Sequence, residues 1–140
     1  MFGNDRLQMR RMFTDSWQKL KQGTPLEPLE QMITEIIKQH PEYHKMLEDP
    51  AGSLDRDFMP EEGQTNPFLH MAMHISIQEQ ISTDRPNGVR LAYQKLTLKT
   101  VDPHEVEHQM MECLGRMLWE AQRSGGMPDE QLYLDCIRKL

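Results

Sequence analysis

Apolar residues recur along this chain at spacings of three and four, between proline and glycine residues that interrupt the pattern. This period places the apolar side chains on one face of an α-helix, whereas the strict alternation of a half-buried β-strand is missing. Only segment 89–99 is also compatible with a strand, because apolar residues cluster at both of its ends. The pattern predicts an all-α fold, a compact bundle of about five to seven helices.

Capping residues and prolines predict where these helices begin and end. Asn66-Pro67 and Asp102-Pro103 each place a side-chain acceptor before a proline, and proline suits the first helical position. We therefore predict that Asn66 caps a helix by accepting a hydrogen bond from a backbone N–H one turn in. The predicted helices cover approximately residues 4–21, 27–39, 41–48, 66–81, 89–99, 103–124 and 128–139.

Segment 49–65 contains Pro50, Gly52, Pro60 and Gly63, and it is predicted to be one long loop. Loops of this length without secondary structure are uncommon in compact domains, and they are often functional. A passive connector is the alternative, and the sequence does not choose between the two.

The length of 140 residues fits a single domain, 1–140, that is large enough to bury a core. The longest stretch with few charges, 66–77, is shorter than the roughly 20 residues that a membrane span needs. The first residues, 1–11, mix charged and apolar side chains and do not resemble a signal peptide. We therefore expect a soluble, cytoplasmic protein without a membrane partner.

The two cysteines, Cys113 and Cys136, are far apart and form no C-x-x-C motif. Cysteine alone therefore supplies neither a zinc ribbon nor a redox dithiol. We interpret both as small buried apolar residues, and we expect the Cys113 thiol to be inert on the apolar face of its helix.

The net charge of −6 is unfavourable for a nucleic-acid partner. A basic cluster does lie on the first predicted helix, where we interpret it as a solvated face. Its members are Arg6, Arg10, Arg11, Lys19 and Lys21. Phosphate-binding glycine loops and the G-x-S-x-G motif are absent from the sequence, which therefore favours a non-enzymatic protein without deciding the question.

The histidines form three pairs with a spacing of four, a spacing that stacks two imidazoles on one face of a helix, as in many metal sites. The pairs are His40/His44, His70/His74 and His104/His108. Pro41 interrupts the first pair, so its rings need not share a face. The second pair falls within the apolar stripe of helix 66–81.

Burying an imidazole costs free energy unless its nitrogens find partners. His70 and His74 are therefore either hydrogen-bonded core histidines or metal ligands, and both alternatives stay open. His40 projects with the apolar residues of helix 27–39, and it could supply a third ring to either arrangement.

A second candidate for metal binding is the pattern Glu105-x-x-His108-x-x-x-Glu112. Glu-x-x-His is the spacing by which di-iron bundles direct ligands into their cores. Here, however, Glu105 and Glu112 point away from the apolar arc of their helix, which is also typical of a solvated, salt-bridged face. The metal hypothesis thus uses His70 and His74 with some of His108, Glu112, Glu105 and His40, and the ion would be zinc or iron.

A family resemblance rests on six segments of the chain: 40–44, 66–74, 79–80, 85–88, 108–115 and 118–123. Together they resemble one bacterial protein family, domain-of-unknown-function family 1841. The resemblance implies a small cytoplasmic bacterial protein. It implies no activity, because the family has none assigned, and no catalytic residue follows from it.

Two functions are compatible with these observations. The first is a non-enzymatic helical interaction module that self-associates or docks on a protein partner through a surface rich in aromatic residues and in its 12 methionines. The alternative is the metal-binding helical bundle described above. No substrate or partner can be named from the sequence.

Overall fold

The computed structural model describes residues 2–54 and 66–140, and this part of the chain is helical without strands. A 3₁₀ turn, Pro41–Tyr43, precedes the third of the α-helices. The helices are α1 (Phe2–Gln22), α2 (Pro28–Lys38), α3 (His44–Leu47), α4 (Pro50–Ser53), α5 (Pro67–Thr83), α6 (Val89–Lys99), α7 (Pro103–Ser124) and α8 (Glu130–Arg138). The all-α prediction is confirmed, and α6 is a helix rather than a strand. Two four-residue helices raise the count within the described residues slightly above the expected range.

The secondary structure differs from the prediction in two neighbouring segments, one before and one after Leu47. The helix predicted over 41–48 is split into the 3₁₀ turn and α3. The long loop predicted over 49–65 is wrong at its start, because residues 50–53 form α4. The Asp49 side chain caps α4 by accepting from the Gly52 N–H, and Pro50 occupies the first position. Residues 55–65 of the predicted loop lie outside the described residues.

Side-chain caps fix the starts of α5, α7 and α8. Asn66 Oδ1 accepts from the backbone N–H of Phe68 at 3.0 Å and of Leu69 at 3.2 Å, which confirms the predicted cap of α5. Asp102 caps α7 in the same way. The last helix begins two residues later than predicted because Asp129, rather than a residue before Pro128, supplies its cap.

The chain divides into two compact units, Met1–Ile75 and Ser76–Leu140. The core of the first unit is formed by buried side chains from α1, α2, α3 and the start of α5. These side chains are Phe13, Trp17, Ile33, Ile36, Ile37, Leu47, Phe68 and Met71. None of the helices within 2–54 and 66–140 combines the length and the apolar character that crossing a bilayer requires.

Arg10 was expected on a solvated basic face of α1, but it is buried, with only 2% exposed. Its Nη1 donates to the carbonyl oxygens of Ser53 at 3.4 Å and Leu54 at 3.0 Å, and the guanidinium lies 4.9 Å from the Phe68 ring centre. Lys19, further along α1, donates to Glu30 at 2.7 Å. Much of the predicted basic cluster is therefore engaged within the first unit.

In the second unit, a disulfide joins Cys113 of α7 to Cys136 of α8, with a Cα–Cα distance of 5.7 Å. Cys113 is buried as expected, but the interpretation of the two cysteines as unpaired is wrong. The pair forms because the turn at Gly125, with a φ of +71°, ends α7 and lets α8 pack against it. Sequence spacing does not reveal which helix faces meet after such a turn.

Candidate functional site

His40 lies just after the end of α2, and its ring is oriented by a backbone carbonyl. The side chain is 3% exposed, and its Nδ1 lies 2.8 Å from the carbonyl oxygen of Ile36. Because a carbonyl can only accept, Nδ1 carries the proton and donates. In the neutral ring, Nε2 therefore carries the lone pair, and this atom lies beside His70. A neutral imidazole fixed in this way is prepared either to accept a hydrogen bond or to bind a metal ion.

Two more imidazoles, from His70 and His74 on α5, surround His40. His74 is fully buried and His70 is half-buried. The ring centres of the three histidines are separated by 4.9 to 5.0 Å, and the distance from His40 Nε2 to His70 Nε2 is 3.1 Å. One ring nitrogen of His40 and one of His74 lie within 4.8 Å of each other. We call this arrangement of His40, His70 and His74 the histidine cluster.

The distance of 3.1 Å between His40 and His70 fits two chemical situations. In the first, His70 Nε2–H donates to the lone pair of His40 Nε2, and both rings are neutral. In the second, both lone pairs point at one ion. Two nitrogens bound tetrahedrally to zinc at ~2.0–2.1 Å lie roughly 3.3 Å apart. Only a small movement therefore separates the hydrogen-bonded pair from a pair of metal ligands.

Tyr43, from the 3₁₀ turn, covers the histidine cluster on one side. Its ring stacks on that of His40, with ring centres 5.2 Å apart and an angle of 7° between the planes. Burial raises the pKa of the Tyr43 hydroxyl, and the neighbouring Glu42 adds to the effect. The aromatic ring restricts the orientation of His40 and limits its contact with water.

His44 belongs to a different environment, as Pro41 between the two residues suggested. Its Nε2 lies 2.8 Å from the carbonyl oxygen of Ile37, to which it must donate, and its ring centre is 4.5 Å from that of Trp17. The first histidine pair therefore does not act as a pair. His44 is half-buried and hydrogen-bonded to a backbone carbonyl, whereas His40 joins the pair on α5.

The third histidine pair lies in the second unit, near the start of α7. The ring centres of His104 and His108 are 4.3 Å apart, and both rings are half-buried. Glu105 Oε2 lies 3.5 Å from His108 Nδ1. Glu105 and His108 therefore share one face of α7, as their spacing indicated, and the carboxylate is largely exposed. Glu112 is exposed on the same helix, as expected for a solvated face.

Glu107, which the sequence did not single out, is the buried carboxylate of α7. It is 7% exposed, and Gln78 Nε2 donates to its two carboxylate oxygens at 3.2 and 3.5 Å. Its position between Val106 and His108, at the edge of the apolar arc, could have indicated burial. A glutamate in such a run is more often solvated, so the sequence gives little reason to choose it.

Comparison with known proteins identifies a family whose model matches this chain. The model of the family described as a domain of unknown function (DUF1841) matches residues 5–139 of the chain. No curated protein and no solved structure matches it. The histidine cluster is therefore interpreted from its own geometry.

Proposed function

We propose that this chain, which belongs to the DUF1841 family, binds a divalent transition-metal ion through His40, His70 and His74. The observation that carries the proposal is the contact of His40 Nδ1 with the Ile36 carbonyl, which leaves the Nε2 lone pair beside His70. Metal-binding histidines commonly donate their second ring N–H to such an acceptor, which fixes the tautomer and the ring orientation.

The chemistry of the histidine cluster restricts which ion is suitable. Three neutral imidazoles suit zinc, iron, copper or nickel, whereas magnesium and calcium prefer oxygen ligands. Three histidines also leave a tetrahedral zinc ion with one open position. Among these ions we propose zinc or iron, the two that the sequence patterns indicate, and we assign no reaction to the bound metal.

The wider ligand set suggested by the sequence stays a prediction. His108, Glu105 and Glu112 belong to α7, and the exposed carboxylates of Glu105 and Glu112 are available to water. Exposed carboxylates at this spacing are common without a metal. We therefore centre the proposal on the histidine cluster and treat His108 as a further ligand to be tested by substitution.

The test is elemental analysis of the native protein purified without chelator, followed by titration of the metal-free protein with cobalt(II) and zinc(II). We expect about one equivalent of metal and a cobalt spectrum typical of nitrogen ligands. His70→Ala and His40→Ala should remove this binding. His44→Ala is the matched control, because His44 is also hydrogen-bonded to a helix carbonyl but lies outside the histidine cluster.

Far-UV circular dichroism of each variant separates loss of metal from loss of fold. Metal-free native protein that takes up neither ion would contradict the proposal. Equal binding by wild type and His70→Ala in a folded state would contradict it as well. Loss of binding in His108→Ala would add that residue to the ligand set.

We also propose that the chain acts as a non-enzymatic interaction module that self-associates through α7. Trp119 is 56% exposed and borders a surface hollow with Gly115, Arg116, Glu120 and Leu132. The Arg123 guanidinium lies 4.6 Å from the Trp119 ring centre. A patch that presents an aromatic ring together with both signs of charge can pair with the same patch of a second copy, as a two-fold symmetric interface requires.

Sedimentation equilibrium of wild type and Trp119→Ala tests this second proposal. We expect wild type to dimerise and the variant to dimerise at least tenfold more weakly, because exposed tryptophans often dominate interface energies. Leu98→Ala, on α6, is the control for the loss of an exposed apolar side chain. A wild-type chain that stays monomeric at high concentration would refute self-association.

A further inference from the structure

The second unit contains a cleft between α6 and α8, apart from the histidine cluster. Its volume is about 440 Å³, within the usual range for small-molecule sites. The floor consists of Ala92 and Leu96 from α6 and Ile137 from α8, all of which are at most 5% exposed. The cleft therefore offers an apolar surface that is recessed from the surrounding solvent.

The wall formed by α8 is held in place by two independent contacts. Cys136, next to the floor residue Ile137, is bonded to Cys113 of α7. The Tyr133 hydroxyl donates to the side-chain oxygen of Gln80, and burial raises the pKa of this hydroxyl. Because these contacts fix α8, the cleft is largely formed before any ligand enters, which lowers the cost of binding.

The ionisable side chains that line the cleft are all basic: Lys95, Lys99 and Arg138. Arg138 Nη1 lies 3.7 Å from Asp135, whereas no carboxylate within the described residues lies at ion-pair distance from Lys95 or Lys99. This accumulation of positive charge contrasts with the net charge of −6 for the whole chain. It therefore indicates that an anionic group would be favoured at the rim.

We propose that this cleft binds a free fatty acid, with the alkyl chain on the apolar floor and the carboxylate at the lysine rim. Lysine can lay its methylene stem along apolar surface while its ammonium group remains in water, where it meets a carboxylate. Leu98, which also lines the cleft, is 87% exposed and would cover the alkyl chain. A recessed cavity of this volume suits a single small amphiphile better than a protein helix, which needs an open groove.

Isothermal titration calorimetry of the full chain with sodium decanoate, below its micelle concentration, tests the proposal. We expect saturable binding of one decanoate per chain and chemical-shift changes at the amides of Ala92, Leu96 and Ile137. Acetate has the same charge without the alkyl chain, and decyltrimethylammonium has the alkyl chain with the opposite charge. Neither should bind at comparable concentrations.

Three variants define the contacts. Lys95→Gln with Lys99→Gln should weaken decanoate binding roughly tenfold, because two charge-assisted contacts are lost. Leu98→Ser should weaken it by a smaller factor, and its side chain is exposed enough to leave the fold unchanged. Lys139→Gln is the matched control, because Lys139 is an exposed lysine at the end of α8 that does not line the cleft.

Binding of decanoate that is unaffected by the double lysine variant would overturn the proposal. So would saturable binding of an acidic amphipathic peptide, or of vesicles containing phosphatidylglycerol, without any binding of decanoate. The metal proposal is independent of this result, because the cleft shares no residue with the histidine cluster.

Discussion

The position of one proton determines what the histidine cluster can do. His40 donates from Nδ1 to the Ile36 carbonyl, so Nε2 is the ring nitrogen that carries the lone pair and lies 3.1 Å from His70 Nε2. His44 has the opposite arrangement, because its Nε2 donates and its ring packs against Trp17. Two histidines four positions apart thus have different chemistry, since the backbone carbonyl that each one reaches fixes its tautomer.

The cap of α5 gives a stability prediction for a single residue. Asn66→Ala should lower the free energy of unfolding by ~1 kcal/mol, because the N–H groups of Phe68 and Leu69 lose their acceptor. Asn66→Asp should retain most of the stability. Urea denaturation monitored by circular dichroism measures the change. The control is Asn87→Ala, a substitution at an exposed loop residue. Unchanged stability in Asn66→Ala would mean that water replaces the cap without cost.

Glu30 gives a prediction about pH. The hydrogen bond from Lys19 holds the pKa of the Glu30 carboxyl below its usual range, and the Glu27 backbone N–H contributes in the same direction. A carboxyl group whose pKa is lower in the folded state stabilises the protein at pH values above its unfolded-state pKa of ~4.3. This contribution is lost as the pH falls through the folded-state pKa.

Glu30→Gln should therefore lose less stability than wild type when the pH is lowered from 6 to about 3. Glu35→Gln is the control, because Glu35 pairs with Lys38 in the same helix at an exposed position. Thermal unfolding across this pH range measures both variants. Parallel pH profiles for wild type and Glu30→Gln would exclude a contribution from this carboxylate.

At the scale of the helices, the geometry of the connecting turns determines which helix faces pack together. Gly125 ends α7 in the left-handed region, and α8 then packs against α7 closely enough for Cys113 and Cys136 to bond. The disulfide thereby closes a segment that contains the turn at residues 125–129.

Removing the disulfide should destabilise the protein. For a sequence separation of 23 residues, loop-closure entropy predicts a loss of about 3 kcal/mol in the free energy of unfolding. The double variant Cys113→Ala with Cys136→Ala, compared with wild type in oxidising buffer, measures this loss by urea denaturation. Adding reductant should destabilise wild type and leave the double variant unchanged. Equal stability of all four samples would contradict the prediction.

Helix bounds were predictable where a local signal sets them. Asn66 before Pro67 and Asp102 before Pro103 fixed the starts of α5 and α7, because capping depends on neighbouring atoms only. The disulfide and the burial of Arg10 were not predictable, because both depend on distant segments that meet after a turn.

The candidate site was also predictable only in part. The spacing of His70 and His74 identified two rings on the buried face of α5, and the apolar stripe of α2 pointed to His40. The contact between His40 and Ile36 could not be predicted, because it depends on how the chain turns back after Gln39. The lysine rim of the α6–α8 cleft depends on side chains that only the folded helices bring together.

At the scale of the whole molecule, charge argues against nucleic acid as a partner. The chain has 22 acidic and 16 basic residues. Arg10 is buried, and Lys19 and Lys21 of the same helix pair with Glu30 and Glu48. Few of the positive charges on α1 are therefore free to contact phosphates.

We predict that the protein does not bind generic duplex or single-stranded nucleic acid at micromolar concentration in physiological salt. Fluorescence anisotropy with a labelled oligonucleotide checks this. Polyaspartate is a suitable competitor, since it would displace any weak electrostatic binding. Salt-sensitive micromolar binding would contradict the prediction.

We also predict that residues 1–140 unfold as a single domain. The division between the two compact units falls inside α5, so unfolding of either unit would break a continuous helix of 17 residues. Differential scanning calorimetry should give one transition with equal calorimetric and van't Hoff enthalpies. Two separate transitions would show that the units unfold independently.

The location of this division also bears on how the protein can evolve. Segments that genes exchange as modules are usually joined by exposed linkers, where a breakpoint does little harm. Here a breakpoint between Ile75 and Ser76 would leave each descendant with half a helix and unsatisfied backbone groups at the cut. We therefore expect recombination at this point to be disfavoured and the two halves of the chain to be inherited together.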